Sequence, residues 1–124
     1  MNNILTIKTM EEILREINKT SKIDASAIAS RDGLLLCSIQ CEPNKAEALA
    51  ALLAAMVGSA EAAVAGLGKG VLESIIVESI DGKLIGTGAG PKALITVITG
   101  PDVSPGLILI EMKKASEKIK KVLG

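Results

Sequence analysis

Apolar residues recur along this chain in two rhythms, a helical spacing of three and four and a strand spacing of two. The first begins at Thr9-Met10-Glu11-Glu12, which has the form of a capping box. Met10, Ile13, Leu14 and Ile17 follow at helical spacing, with Glu11, Glu12, Arg15, Glu16 and Lys19 opposite, so an amphipathic helix ending near Thr20 is predicted. From Asp24 to Arg31 the rhythm changes to two, Ala25, Ala27 and Ala29 alternating with Ser26, Ile28 and Ser30. Asp32-Gly33 predicts a two-residue hairpin with both turn positions at positive φ, and Leu34 to Gln40 returns as the second strand.

Pro43-Asn44 opens a long apolar helix, Lys45 to Leu67, whose only charges are Lys45, Glu47 and Glu61. Small residues stand at every fourth position: Ala46, Ala50, Ala54, Gly58, Ala62 and Gly66. On a helix these form one smooth ridge that lets another helix approach closely. Leu49, Leu52, Leu53, Met56, Ala60, Ala63, Val64 and Leu67 read as the core-facing stripe. The ridge is then the outward face, and the thirteen uncharged residues between Glu47 and Glu61 leave that face dry. A helix of this composition is long enough to span a membrane, but Glu61 well inside the span would cost about 3 kcal/mol, so no membrane insertion is expected.

Gly66-Leu67-Gly68-Lys69-Gly70 ends the helix. Val71 to Ser79 predicts a third strand, Asp81-Gly82 a second two-residue turn, Lys83 to Ala89 a fourth strand, and Ala93 to Thr99 a fifth, apolar enough to be buried on both faces. Ser104 as N-cap and Pro105 at the first helical position open a last helix, with Ile108, Met112, Ala115, Ile119 and Val122 buried and Lys113, Lys114, Lys118, Lys120 and Lys121 outside. The order α-β-β-α-β-β-β-α describes one α+β domain over residues 1–124. Its mostly antiparallel five-stranded sheet is flanked by three helices in a three-layer arrangement.

Composition narrows the chemistry. The chain has no His, Phe, Tyr or Trp. Histidine-dependent nucleophiles and the common zinc sites are thereby excluded, as are aromatic platforms for single-stranded nucleic acid. Fourteen basic and fourteen acidic residues cancel, so nothing global steers the protein to nucleic acid or anionic lipid. Cys37 and Cys41, four apart on a strand, lie about 13 Å from each other and read as buried or half-buried free thiols. The start of the chain lacks a secretory pattern, so a cytoplasmic location is expected. Gly86-Thr87-Gly88-Ala89-Gly90-Pro91-Lys92 is not a phosphate loop, because Pro91 separates Gly90 from Lys92 and a strand follows. Glu73 and Glu78 fall on opposite strand faces, and no carboxylate pair is placed for acid–base work. No catalytic, metal or cofactor residue is expected.

With these elements placed, the chain resembles the roadblock/dynein light-chain family in its small prokaryotic, MglB-like form. The likeness rests on Asp32-Gly33-Leu34, the Ala/Leu-rich second helix, Gly68-x-Gly70, Asp81-Gly82 and Thr99-Gly100-Pro101-Asp102. It implies a roadblock/longin-like, profilin-like fold and a homodimer in which third strands pair edge to edge and second helices lie side by side. It also implies a non-enzymatic regulator or scaffold that docks a small Ras-like GTPase. The candidate interface is Ala46, Ala50, Ala54, Gly58, Ala62 and Gly66, with Ile75, Ile76 and Val77 on the third strand. The alternatives are a structural homo- or hetero-oligomerisation module without a GTPase, or a small-molecule sensor with a pocket between helix and sheet.

Overall fold

A computed structural model of the chain describes residues 4–20 and 22–124, so the reading of the chain's start falls partly outside the described residues. The elements are α1 (Ile4–Thr20), β1 (Ile23–Ser30), β2 (Leu35–Ile39), α2 (Pro43–Gly66), β3 (Ile75–Ser79), β4 (Gly82–Gly88), β5 (Ala93–Thr99) and α3 (Pro105–Leu123). Their order is the predicted one. One antiparallel sheet runs β2-β1-β5-β4-β3. The apolar run of β5 occupies its centre, buried on both faces.

Two apolar layers sandwich the sheet. On one face α1 and α3 bury Met10, Leu14, Ile17, Ile108, Met112 and Ile119 against Ile28, Ile85, Ile95 and Val97. On the other, α2 lies over a smaller cluster of Ala29, Ala50, Leu53, Val57 and Leu94. Strand alternation produces this sorting: Ile28 faces α1 and α3 while Ala29 faces α2.

Several local expectations give way to specific contacts. The capping box does not form. Helix α1 begins at Ile4, and the Thr9 hydroxyl, inside it, donates to the Leu5 carbonyl at 2.9 Å. At the first hairpin Gly33 has φ +89° but Asp32 does not have positive φ. Gly33 N–H bonds Ser30 C=O and Ser30 N–H bonds Leu34 C=O, and the register shifts between Ile28 and Ala29. This is a wider turn with a bulge in place of the two-residue form. In the second hairpin Ser79 faces Gly82, so the turn residues are Ile80 and Asp81 and Gly82 already belongs to β4. Glycine is needed there for space: a Cβ at Gly82 would stand 2.7 Å from the Thr99 carbonyl oxygen.

Strand β3 starts at Ile75, four residues later than predicted, because the chain leaves Gly70 at φ +89° and Leu72 turns into the α2 cluster. Ser104 precedes α3 without a side-chain cap bond, and Leu123, not Val122, closes its buried stripe. The glycine exit from α2 behaves as predicted. Leu67 and Lys69 N–H groups return to Ala63 and Val64, and Gly68 has φ +68°.

Candidate interaction surface

The residues of α2 that point into the fold are Ala46, Ala50, Leu53 and Val57. The small-residue ridge is therefore divided. Its first members, Ala46 and Ala50, are buried under the helix in this chain and are not outward, a correction to the sequence reading. Ala54 is half-buried beside the first hairpin, where a Cβ at Gly33 would lie 3.5 Å from the Ala54 Cβ and 3.2 Å from the Ala51 Cα. Gly58, Ala62 and Gly66 are exposed.

The physical reason lies in the sheet beneath. Its α2 face carries Ala29 and Gly86, and a Cβ at Gly86 would stand 2.8 Å from the Leu53 methyl group. Small side chains on the sheet draw the helix close, and a close helix needs small side chains underneath. Bulkier residues assigned to the core are turned out instead. Leu52 is 61 % exposed, Leu67 is exposed, and Leu49 and Met56 are only half-buried.

Those displaced side chains build the flank of α2 that overlooks β3. Ala55, Met56 and Ser59 face Ile75 and Val77 across a shallow apolar cleft of about 430 Å³. Leu52 and Ala63 share that flank by helical spacing. β3 is one of the two outer strands of the sheet, with β4 on one side and, among the described residues, no strand on the other. Ile76 and Val77 are each 42 % exposed on it, and Ile80 at its turn is almost wholly exposed. Of the three predicted strand residues, Ile75 and Val77 line this cleft with Met56 and Ser59, whereas Ile76, paired with Ile85, faces the opposite side of the sheet.

Past Val57 no residue of α2 is buried. Its last turns are held by Glu61, whose carboxylate accepts from Arg31 Nη1 at 3.2 and 2.9 Å. Arg31 Nη2 also donates to the Gly90 carbonyl at 3.0 Å, and its own N–H reaches the Lys92 carbonyl. One guanidinium so ties the first hairpin to the turn between β4 and β5 and to the overhanging end of α2. The signal in the sequence was Glu61 itself, a lone charge deep in an apolar helix. No spacing rule connects it to Arg31.

Elsewhere the chemistry is structural. Gly86 to Lys92 forms a strand end and turn, and Lys92 Nζ donates to the Leu123 carbonyl at the end of α3. A second cleft, about 490 Å³, opens between α3 and β4 beside Lys113, Glu73 and Glu117, with the Thr87 and Ser116 hydroxyls 3.2 Å apart at its wall. Among the described residues no three Cys, Asp or Glu side chains gather as a metal cluster. Both thiols are free, and burial, with Glu11 nearby, pushes Cys37 up to about 12. Helix α2 is long and apolar enough to cross a bilayer, yet here it lies on the sheet with Glu61 ion-paired to a hairpin.

An open outer strand thus runs beside an uncharged helix flank. Residues 9–99 match the Roadblock/LC7 domain. The chain belongs to that family. The protein MJ1340 of Methanocaldococcus jannaschii is 38 % identical over 111 residues, covering 90 % of this chain and 96 % of that one. Among solved structures, the gliding protein MglB of Thermus thermophilus superposes with TM-score 0.84 at 20 % identity, over 94 % of this chain and 90 % of its own. An MglB described with a tetrameric arrangement gives 0.85 at 19 %, over 94 % and 89 %. At such identities the structural likeness shows the fold, that of a small prokaryotic, MglB-like roadblock protein.

Proposed function

We propose that this roadblock protein is a homodimeric, non-enzymatic regulator that binds a small Ras-like GTPase and modulates its GTPase cycle. The observation that carries the reading is the apolar tract itself, with Leu52, Met56 and Ser59 on the α2 flank continuous with Ile75 and Val77 on an outer strand whose far edge is open. Bare edges of this kind pair with another strand, and a wide apolar patch on a soluble domain marks a protein contact. A second copy meets the open strand with an identical edge, an isologous contact. The two α2 helices then lie side by side and present a joint surface of alanine, glycine and serine to a third protein. Self-assembly in an MglB and the membership of the Roadblock/LC7 family support this reading.

The test has two stages. Sedimentation of the purified chain, alone and with Met56→Glu, should give a dimer that the variant reduces to monomer, since the carboxylate would be desolvated in the contact. Titration with Ras-like GTPases of the same cell should then show binding by the dimer and a changed rate of GTP hydrolysis or nucleotide exchange. A dimer to which every such GTPase is indifferent leaves a structural assembly module. A chain that stays monomeric at high concentration refutes both.

A further inference from the structure

We infer that two copies pair through β3 in a single register, Ile76 opposite Ile76, about a two-fold axis normal to the sheet. This deepens the homodimer reading and rests on it.

The backbone restricts the choice first. The turn Ile80–Asp81 closes the β3–β4 hairpin with Ser79 opposite Gly82. In an antiparallel ladder with a two-residue turn, the closing pair exchanges both hydrogen bonds and every second pair does the same. Ser79, Val77 and Ile75 thus direct their N–H and C=O groups to β4, while Glu78 and Ile76 direct theirs to the open side. An axis normal to the sheet brings both α2 flanks to one side, where each can cover the other. Side chains directly opposite in an antiparallel pair share a face, so this axis must pass through a residue position, and only Ile76, Val77 or Glu78 pairs more than one residue of each β3 with the other copy.

Side chains then decide among the three. An axis at Glu78 sets two carboxylates directly opposite each other, which is destabilising. At Val77, each Ile76 faces a Glu78 carboxylate and each Ile75 faces a Ser79 hydroxyl, leaving Val77 against Val77 as the one apolar pair. An axis at Ile76 gives Ile76 against Ile76 and, on both sides of it, Ile75 against Val77, while each Glu78 meets the Ser74 hydroxyl. Ile75 and Val77 line the cleft under Met56, so their pairing extends the floor on which the two α2 flanks meet. The apolar row is self-complementary in this register alone.

A charge exchange tests it. Ile76 is 42 % exposed on an outer strand, so Ile76→Glu and Ile76→Lys should each fold with unchanged circular dichroism. Each alone sets like charges across the axis, and its dimer dissociation constant should rise at least about tenfold. Mixed in equal amounts, the two variants should recover dimerisation, and native mass spectrometry should find the mixed dimer in excess. If Ile76→Lys dimerises by itself as well as wild type, the introduced lysine faces Glu78 and the register is wrong. Cysteine linkage gives an independent measure in a Cys41→Ser background, where buried Cys37 stays inert. Ile76→Cys should form an intersubunit disulfide, because facing Cα atoms about 5.5 Å apart fall within disulfide reach, and Val77→Cys should not. The reverse pattern overturns the proposal. A wild-type chain that never dimerises defeats the homodimer reading itself, whereas a wild-type dimer without complementation defeats only the register.

Discussion

Gly88 and Arg31 compete for one small volume, which makes the clamp on α2 measurable. A Cβ at Gly88 would stand 2.6 Å from Arg31 Nη2, so Gly88→Ala must displace the guanidinium from Glu61 and the Gly90 carbonyl. The pair is partly solvated, with side chains 33 % and 40 % exposed. Screening therefore holds the ion pair near the surface value of about 1 kcal/mol, and the bond to Gly90 adds about 1 kcal/mol. Arg31→Ala should accordingly cost about 2 kcal/mol. Gly88→Ala loses the same contacts but gains about 0.5–1 kcal/mol from replacing a strand glycine, a net cost of about 1 kcal/mol. In the Arg31→Ala background the space is empty and only the gain remains, so the same substitution should stabilise. The effect of Gly88→Ala thus changes sign, with a coupling energy of about 2 kcal/mol. Urea denaturation of the four proteins measures this cycle. Effects of Gly88→Ala that agree in the two backgrounds within about 0.4 kcal/mol would show that Arg31 is not seated as described.

Two further outcomes follow from packing and burial. Gly82→Ala should cost about 2 kcal/mol, because its Cβ meets the Thr99 backbone with no flexible group to yield; Gly58→Ala, with nothing within 4 Å, should gain about 1 kcal/mol in the same urea assay. Cys37, at about 12 against an ordinary 9.0, stays protonated in the folded chain while the unfolded thiol ionises. Unfolding then releases a proton between those values, and by pH 10 the thiol should contribute about 1.4 kcal/mol of destabilisation that Cys37→Ala removes. A pH–stability curve identical in the two proteins would contradict the burial. An aromatic disulfide reagent at pH 8 should titrate Cys41 at once and Cys37 only after denaturant.

Periodicity served well where burial is lopsided or total. β5 is mostly apolar, interrupted only by Thr96 and Thr99, and its bounds, Ala93–Thr99, match the predicted run, while the α3 stripe of Ile108, Met112, Ala115 and Ile119 contrasts with lysines opposite. Asp-Gly misled at both hairpins for separate reasons. Gly33 alone takes positive φ in one, and Gly82 is glycine because of Thr99 in the other. The faces of α2 were hardly legible beyond Leu53, since alanine is compatible with either side of a helix and no charge between Glu47 and Glu61 marks the solvent. The Arg31–Glu61 bond joins residues 30 apart and depends on where two hairpins and a helix end converge, which local spacing does not encode.

Inverting the usual amphipathic order has an energetic consequence for assembly. With small residues inward, α2 leaves Leu52 and Met56 on its flank, and full burial of such a side chain contributes about 1.5–3 kcal/mol. Two copies of both residues supply at most about 6–12 kcal/mol, less because Met56 is already half-buried, against a cost of about 4–15 kcal/mol for immobilising one protein on another. Helix contact alone is therefore too weak for a lasting dimer. The surplus must come from β3, where backbone groups turned to the open side find partners and Ile76 and Val77 leave water together. A charge placed on either element removes more than that surplus, so Met56→Glu on the flank and Ile76→Glu on the strand should each dissolve the assembly while leaving the monomer fold in place.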